Sequence, residues 1–175
     1  LSYASNFDAL IVQHALDQDL QSAGVMHEGE LATRLGLTGI PVAAETAIID
    51  RDIRLVELTS ARYHISQVSS GESVEAVRQA KARGLAVSCA VSAAHLMLNE
   101  NDVENYRTFA KLNPPLRSED DRLALVDGLA DGTIDIVVSG HNPQDAEAKR
   151  QPFAQAAYGT VGVETLLSLS LIHIS

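Results

Sequence analysis

A single cysteine, Cys89, in 175 residues rules out an internal disulfide. It lies in the apolar run 85–91, where a small buried side chain fits better than a reactive thiol, although the residue type alone allows either. No stretch approaches the roughly 20 apolar residues that a membrane-spanning helix needs, and the start of the chain lacks the charged, apolar and small-residue order of a signal peptide. Basic residues are few: 13 against 23 acidic ones, a net charge of -10, leave no clustered Lys/Arg surface for nonspecific binding to nucleic acid or to an anionic membrane. Gly-rich phosphate loops, Cys-x-x-Cys pairs and Gly-x-Ser-x-Gly elbows are also missing. No repeat, low-complexity segment or linker divides the chain.

What remains is the profile of a cytoplasmic globular domain, because 46% hydrophobic residues are enough to build a core and argue against disorder. The chain begins at Leu1 without a methionine and stops in an apolar stretch without capping or turn residues, so both ends read as cuts in a longer protein.

Short apolar runs alternate with amphipathic stretches. Residues 9–12, 63–68, 85–91 and 134–138 read as buried parallel strands, and 106–112 as a further one before Asn113, Pro114 and Pro115. Helices are expected over 28–37, over 42–58, from Ser69 or Ser70 to a stop at Gly84, and from Ser118 to Ala130. Ser118, with Glu119, Asp120 and Asp121 behind it, forms a capping box in which the acids answer the helix dipole better than they would a metal. Strands joined by helices of this length imply right-handed parallel crossovers and an α/β class. About five units allow an open doubly wound sheet or part of a (β/α)8 barrel, which when complete takes about 250 residues.

In either architecture chemistry gathers where strands give way to loops, and four residues stand there: His14, Gln67, Asn113 and Gly140. His14 could ligate a metal, or simply hold a structural hydrogen bond. Asn113, held extended by the following proline, suits recognition of a carboxylate or ureide, or the satisfaction of a turn. In the loop 139–144 only His141 can titrate; Gly140 has no side chain, and Gln144 has no proton to trade. Read without further information, that loop is a glycine turn. His64 lies within a strand, and a hydrogen bond to backbone in a loop or turn accounts for His95.

Ordered motifs add a family resemblance. Asn113-Pro114-Pro115-Leu116-Arg117-Ser118-Glu119-Asp120-Asp121-Arg122, Asp131-Gly132-Thr133-Ile134-Asp135 and Gly159-Thr160-Val161-Gly162-Val163-Glu164-Thr165 resemble the dihydroorotases. So do Glu28-Gly29-Glu30, Arg34-Leu35-Gly36-Leu37, Gly39-Ile40-Pro41 and Tyr63-His64-Ile65-Ser66, in the same order. The resemblance implies the central part of an amidohydrolase (β/α)8 TIM barrel over 1–168, truncated at both ends, followed by a tail, 169–175, that does not continue the family pattern and reads as a truncation or assembly scar.

It also implies cyclic amide chemistry on dihydroorotate and carbamoyl-aspartate in pyrimidine biosynthesis, with zinc as the family's metal. His14 matches a metal-binding histidine, Gln67 stands where a second such histidine is expected, and Gly140 stands where the family has the aspartate that binds metal and shuttles the proton. Asn113 matches a substrate-contacting asparagine, Gln144 replaces a histidine that helps hold substrate, and three further ligands are expected upstream of Leu1. A glutamine amide is a poor zinc ligand and a glycine none, so no catalytic residue is assigned in this chain. The pattern resembles the zinc-lacking, noncatalytic branch of the family. That branch implies a pseudoenzyme, oligomeric and partnered with aspartate transcarbamoylase; the alternative is an active zinc dihydroorotase with an altered metal site.

Overall fold

The computed structural model describes residues 1–164 and 166; the proposed tail, 169–175, lies outside the described residues. Its chain order is α1 (Ser2–Ser5), β1 (Leu10–Gln13), α2 (Gln18–Gln21), β2 (Met26–His27), α3 (Glu30–Leu35), β3 (Gly39–Ile40), α4 (Ala43–Thr59), β4 (Arg62–Ile65), α5 (Gly71–Ala82), β5 (Val87–Ser92), α6 (Ala93–Met97), α7 (Glu119–Ala130), β6 (Ile136–Val138) and α8 (Ala146–Lys149). Strands β1, β4, β5 and β6 form one parallel sheet in that order. Helices α4, α5 and α7 pack side by side along it. Parallel strands in sequential order with successive connecting helices packed against one another are the α/β arrangement of part of a (β/α)8 barrel, not of an open doubly wound sheet.

The helices begin and end where local chemistry dictates. Ser70 Oγ accepts from Ser73 N, and Ser118 and Asp121 exchange reciprocal side-chain to backbone hydrogen bonds as the capping box requires. Gly84 follows α5 at φ +75°, a conformation that costs an L side chain energy and glycine little. Between sheet and helices lies the main core, with Ile49, Ile53 and Val56 of α4, Val74 and Val77 of α5 and Leu125 of α7 packed on Tyr63, Ile65, Cys89 and Val91. Cys89 is therefore a core residue, and burial pushes its thiol up to about 12, far from thiolate reactivity.

One expectation needs correction. Residues 106–112 form no strand: Asn105 and Tyr106 have positive φ, and Thr108–Ala110 is a 3-10 turn whose following amides bond back three residues, Ala110 N to Arg107 O and Lys111 N to Thr108 O. The consecutive residues Ala110, Lys111 and Leu112 are all buried while Tyr106 and Phe109 are exposed, a pattern with no period of two. Conversely, β2 and β3 form a two-stranded parallel ribbon that two residues each were too short to announce.

At the two edges of the four-stranded sheet, Leu10 and Val12 of β1 and Ile136 of β6 are 46%, 59% and 47% exposed. Apolar edge strands recruit other strands. These 175 residues expressed by themselves are expected to self-associate and to bind an apolar dye; sedimentation as a monodisperse monomer that melts cooperatively would contradict this.

Candidate functional site

All four main-sheet strands point their C-terminal ends at one pocket of about 260 Å³. Its lining includes His14 from the end of β1, Ser66 and Gln67 from β4, Ser92 from β5, and Gly140 and His141 from β6, with Asn113 and the segment Tyr158, Gly159 and Thr160 closing it. The four residues singled out by sequence, His14, Gln67, Asn113 and Gly140, are thus brought together. Gln144 is not: it lines a separate surface depression with Phe109 and Lys149, and its Nε2 donates to Asn142 Oδ1 at 2.9 Å.

Gly140 is tightly enclosed. It sits at φ +58°, where a Cβ would lie 3.0 Å from Ser92 Cβ and 3.8 Å from Gln67 Nε2. Strain and crowding both favour glycine here. Ser92 and Gln67 therefore occupy the space next to a missing side chain.

His95 deserves more weight than sequence gave it. It lies in α6 rather than a loop, is buried, and bridges two elements of the pocket. A carbonyl only accepts, so Nε2 carries the proton donated to Pro114 O at 3.1 Å, and Ser92 Oγ donates to Nδ1 at 2.7 Å. The hydrogen bond to backbone was legible; its part in setting Ser92 and the Asn113-Pro114 loop was not.

Burial pushes the His95 imidazolium down to about 4, with the Pro114 and Pro115 carbonyls opposing it incompletely. The unfolded chain, with a histidine near 6.5, takes up this proton first. Stability from this residue is therefore complete above about pH 6.5, falls as pH drops towards 4 and is level below that, a loss of about 3 kcal/mol. Urea titrations between pH 7 and 4 should show this slope, and His95→Gln should flatten it; an unchanged slope in the variant would remove His95 as its source.

Asn113 Oδ1 is buried in the pocket wall without a hydrogen-bond partner among the described residues. Such an acceptor is costly unless something supplies a donor. The pocket lining contributed by the described residues contains no Asp or Glu, and no three His, Cys, Asp or Glu side chains among them converge as a metal site would require. The donor set of the described residues does not fit zinc: His14 stands beside the amide of Gln67 and the bare Gly140, while both ring nitrogens of His95 and Nδ1 of His141 are already engaged in hydrogen bonds.

Sequence reasoning missed Ser92, Tyr158 and Thr160. Ser92 ends β5 and could have been found by the strand-end rule that picked the others. Tyr158 and Thr160 reach the pocket through a loop with no strand to signal it, tied by Tyr158 OH to Gly24 O and by a bridge pairing His141 with Thr160.

Comparison with known proteins agrees with this architecture. The family model described as "Dihydro-orotase-like" matches residues 1–73. A dihydroorotase of Ehrlichia chaffeensis is 45% identical over 172 residues, 98% of this chain and 38% of the relative. One from Desulforapulum autotrophicum is 46% identical over 171 residues, 98% and 40% respectively. Among solved structures, a D-hydantoinase (dihydropyrimidinase) from Thermus sp. superposes with a TM-score of 0.82 at 23% identity, over 99% of this chain and 40% of that one. Dihydroorotase from Saccharomyces cerevisiae in complex with 5-fluoroorotic acid gives 0.75 at 14% identity, over 98% and 45%. The chain spans about two fifths of the length of the dihydroorotases it matches. Over nearly its whole length the chain is similar in sequence to part of these dihydroorotases, and its fold is that of part of the barrels in the solved structures.

Proposed function

We propose that the protein is a dihydroorotase-like barrel of pyrimidine biosynthesis that has kept a pocket for dihydroorotate or carbamoyl-aspartate and lost the hydrolytic chemistry, serving as a structural partner of aspartate transcarbamoylase. The observation that carries this reading is the pocket where His14, Gln67, Asn113 and Gly140 meet without a carboxylate. Loss of a general base alone costs about 10²–10⁴-fold in rate, and loss of a metal-activated hydroxide costs more. Partnership with the transcarbamoylase follows from the resemblance of this pattern to the noncatalytic branch. What the pocket still offers is recognition: an unpaired Asn113 oxygen suited to an N–H of a ureide, and amide and imidazole groups suited to its oxygens.

The test is zinc content and dihydroorotate hydrolysis of the full-length protein, with and without added zinc, together with co-purification of aspartate transcarbamoylase. No stoichiometric zinc, no turnover and a stable complex are expected. Metal-dependent turnover would overturn the reading. A second reading, an active zinc dihydroorotase with an altered site, is favoured by one observation, that His14 and His141 line the same pocket. Stoichiometric zinc lost in His14→Ala would establish it.

A further inference from the structure

His141 follows the family aspartate position and looks at first like a replacement ligand. Its hydrogen bonds point elsewhere. Nδ1 lies 3.2 Å from the backbone N of Gly162 and 3.3 Å from that of Val163, and both N–H groups donate to it. A ring nitrogen that accepts two N–H groups carries no proton, so the neutral imidazole keeps its proton on Nε2. A metal-ligating histidine shows the opposite arrangement: one nitrogen gives its lone pair to the metal while the other donates N–H to a carboxylate or carbonyl. Here Nδ1 is occupied as an acceptor, and Nε2 could bind a metal only by losing the ring's last proton.

The ring is exposed, it lines the pocket, and Nε2 has no protein partner among the described residues. A clip that merely fastened this loop to residues 162–163 would need Nδ1 alone. Elsewhere in the same wall, Asn113 Oδ1 is an acceptor without a donor. The two groups are complementary to a ligand that offers both an oxygen and an N–H.

We propose that His141 is a ligand-binding residue that donates from Nε2 to a carboxylate or carbonyl oxygen of the bound compound, and is not a metal ligand. This rests on the ligand class proposed above.

The experiment uses the full-length protein and three measurements: the nitrogen NMR signature of the His141 ring, calorimetric titration with carbamoyl-aspartate and with dihydroorotate, and bound zinc. Two variants separate the roles of the ring. His141→Asn keeps an oxygen near the Nδ1 position to accept from Gly162 and Val163 but lacks the Nε2 donor. His141→Gln places an amide N–H near Nε2. Expected are a proton on Nε2, binding weakened about tenfold or more in His141→Asn at an unchanged melting temperature, and partial recovery of binding in His141→Gln.

Unaltered ligand affinity in His141→Asn would make the residue a structural clip and overturn the proposal. So would a ring protonated on Nδ1, or zinc bound by the unaltered protein and lost in His141→Asn. If the unaltered protein binds neither compound, the ligand class fails and the anchor fails with it. That outcome is distinguished from the others because it appears before any substitution is made.

Discussion

Replacing Lys111 with methionine is expected to destabilise the protein by about 3–5 kcal/mol and to weaken ligand binding at a pocket the side chain does not line. The lysine is 2% exposed, and its ammonium donates to the carbonyls of Phe153, Ala154 and Ala156 at 2.9, 3.0 and 2.8 Å. All three of its donors are thus used. Nζ also lies 4.5 Å from the centre of the Tyr158 ring, and the Lys111 carbonyl accepts from Gly159 N at 2.9 Å. Burial pulls the ammonium's pKa down, yet three carbonyls and an aromatic face give the charge a complete set of partners.

Methionine fills much of the same volume and removes every donor. Three carbonyls that face inward then lose their partner, which is where the large effect originates. Because residues 153–156 lead directly into Tyr158, Gly159 and Thr160, the pocket wall should loosen as well. A melting-temperature drop of about 10 °C, together with weaker calorimetric binding of the proposed ligand carbamoyl-aspartate, is the expected result, a chain of this size losing about 2–4 °C per kcal/mol. A change below about 1 kcal/mol would show that the three hydrogen bonds are replaced by water at little cost.

Lys111 also marks where reading the sequence stops working. Residues 106–112 look like a strand because Tyr106, Phe109, Ala110 and Leu112 supply the apolar content of one. What shapes them is a buried cation that binds carbonyls about 42–45 residues later, a contact with no local signature. The elements that were legible owe their form to near neighbours. Ser70 caps α5 through Ser73, Ser118 caps α7 through Asp121, and the apolar positions of α4 fall on one face. The same division runs through the site. Residues at strand ends, His14, Gln67 and Gly140, could be placed by topology alone, since parallel strands deliver their C-terminal ends to one side. His95, Tyr158 and the tautomer of His141 depend on partners 19, 134 and 21 residues away and emerge only from the fold.

Removing the carboxylate of Glu45 is expected to be as damaging as losing Lys111, for the converse reason. Glu45 and Arg117 are each 1% exposed at the side chain, and they share one buried network. Glu45 accepts from Ser69 N at 2.9 Å, from Ser73 Oγ at 2.6 Å and from Ser69 Oγ. Arg117 donates through Nε to Ser69 Oγ at 3.1 Å and through a terminal nitrogen to Ile40 O at 2.7 Å and to His27 Nδ1 at 3.2 Å. The second terminal nitrogen of Arg117 has no hydrogen bond and faces Glu45 at 3.9 Å, so the pair is held by charge as much as by contact. Burial lowers the guanidinium's pKa, with Glu45 first among the charges that raise it again, and His27 is pushed down by its own burial and by Arg117 beside it.

In Glu45→Ala the arginine becomes a buried charge without a counterion, a state that costs about 3–5 kcal/mol. Arg117→Met should cost less than Glu45→Ala, because Glu45 keeps its three donors from Ser69 and Ser73. The double variant should then be markedly less destabilised than the two single changes added together, since it leaves no unpaired charge. Denaturant unfolding of the four proteins gives that coupling directly. A purely additive result would mean that the 3.9 Å pair contributes nothing beyond its separate hydrogen bonds.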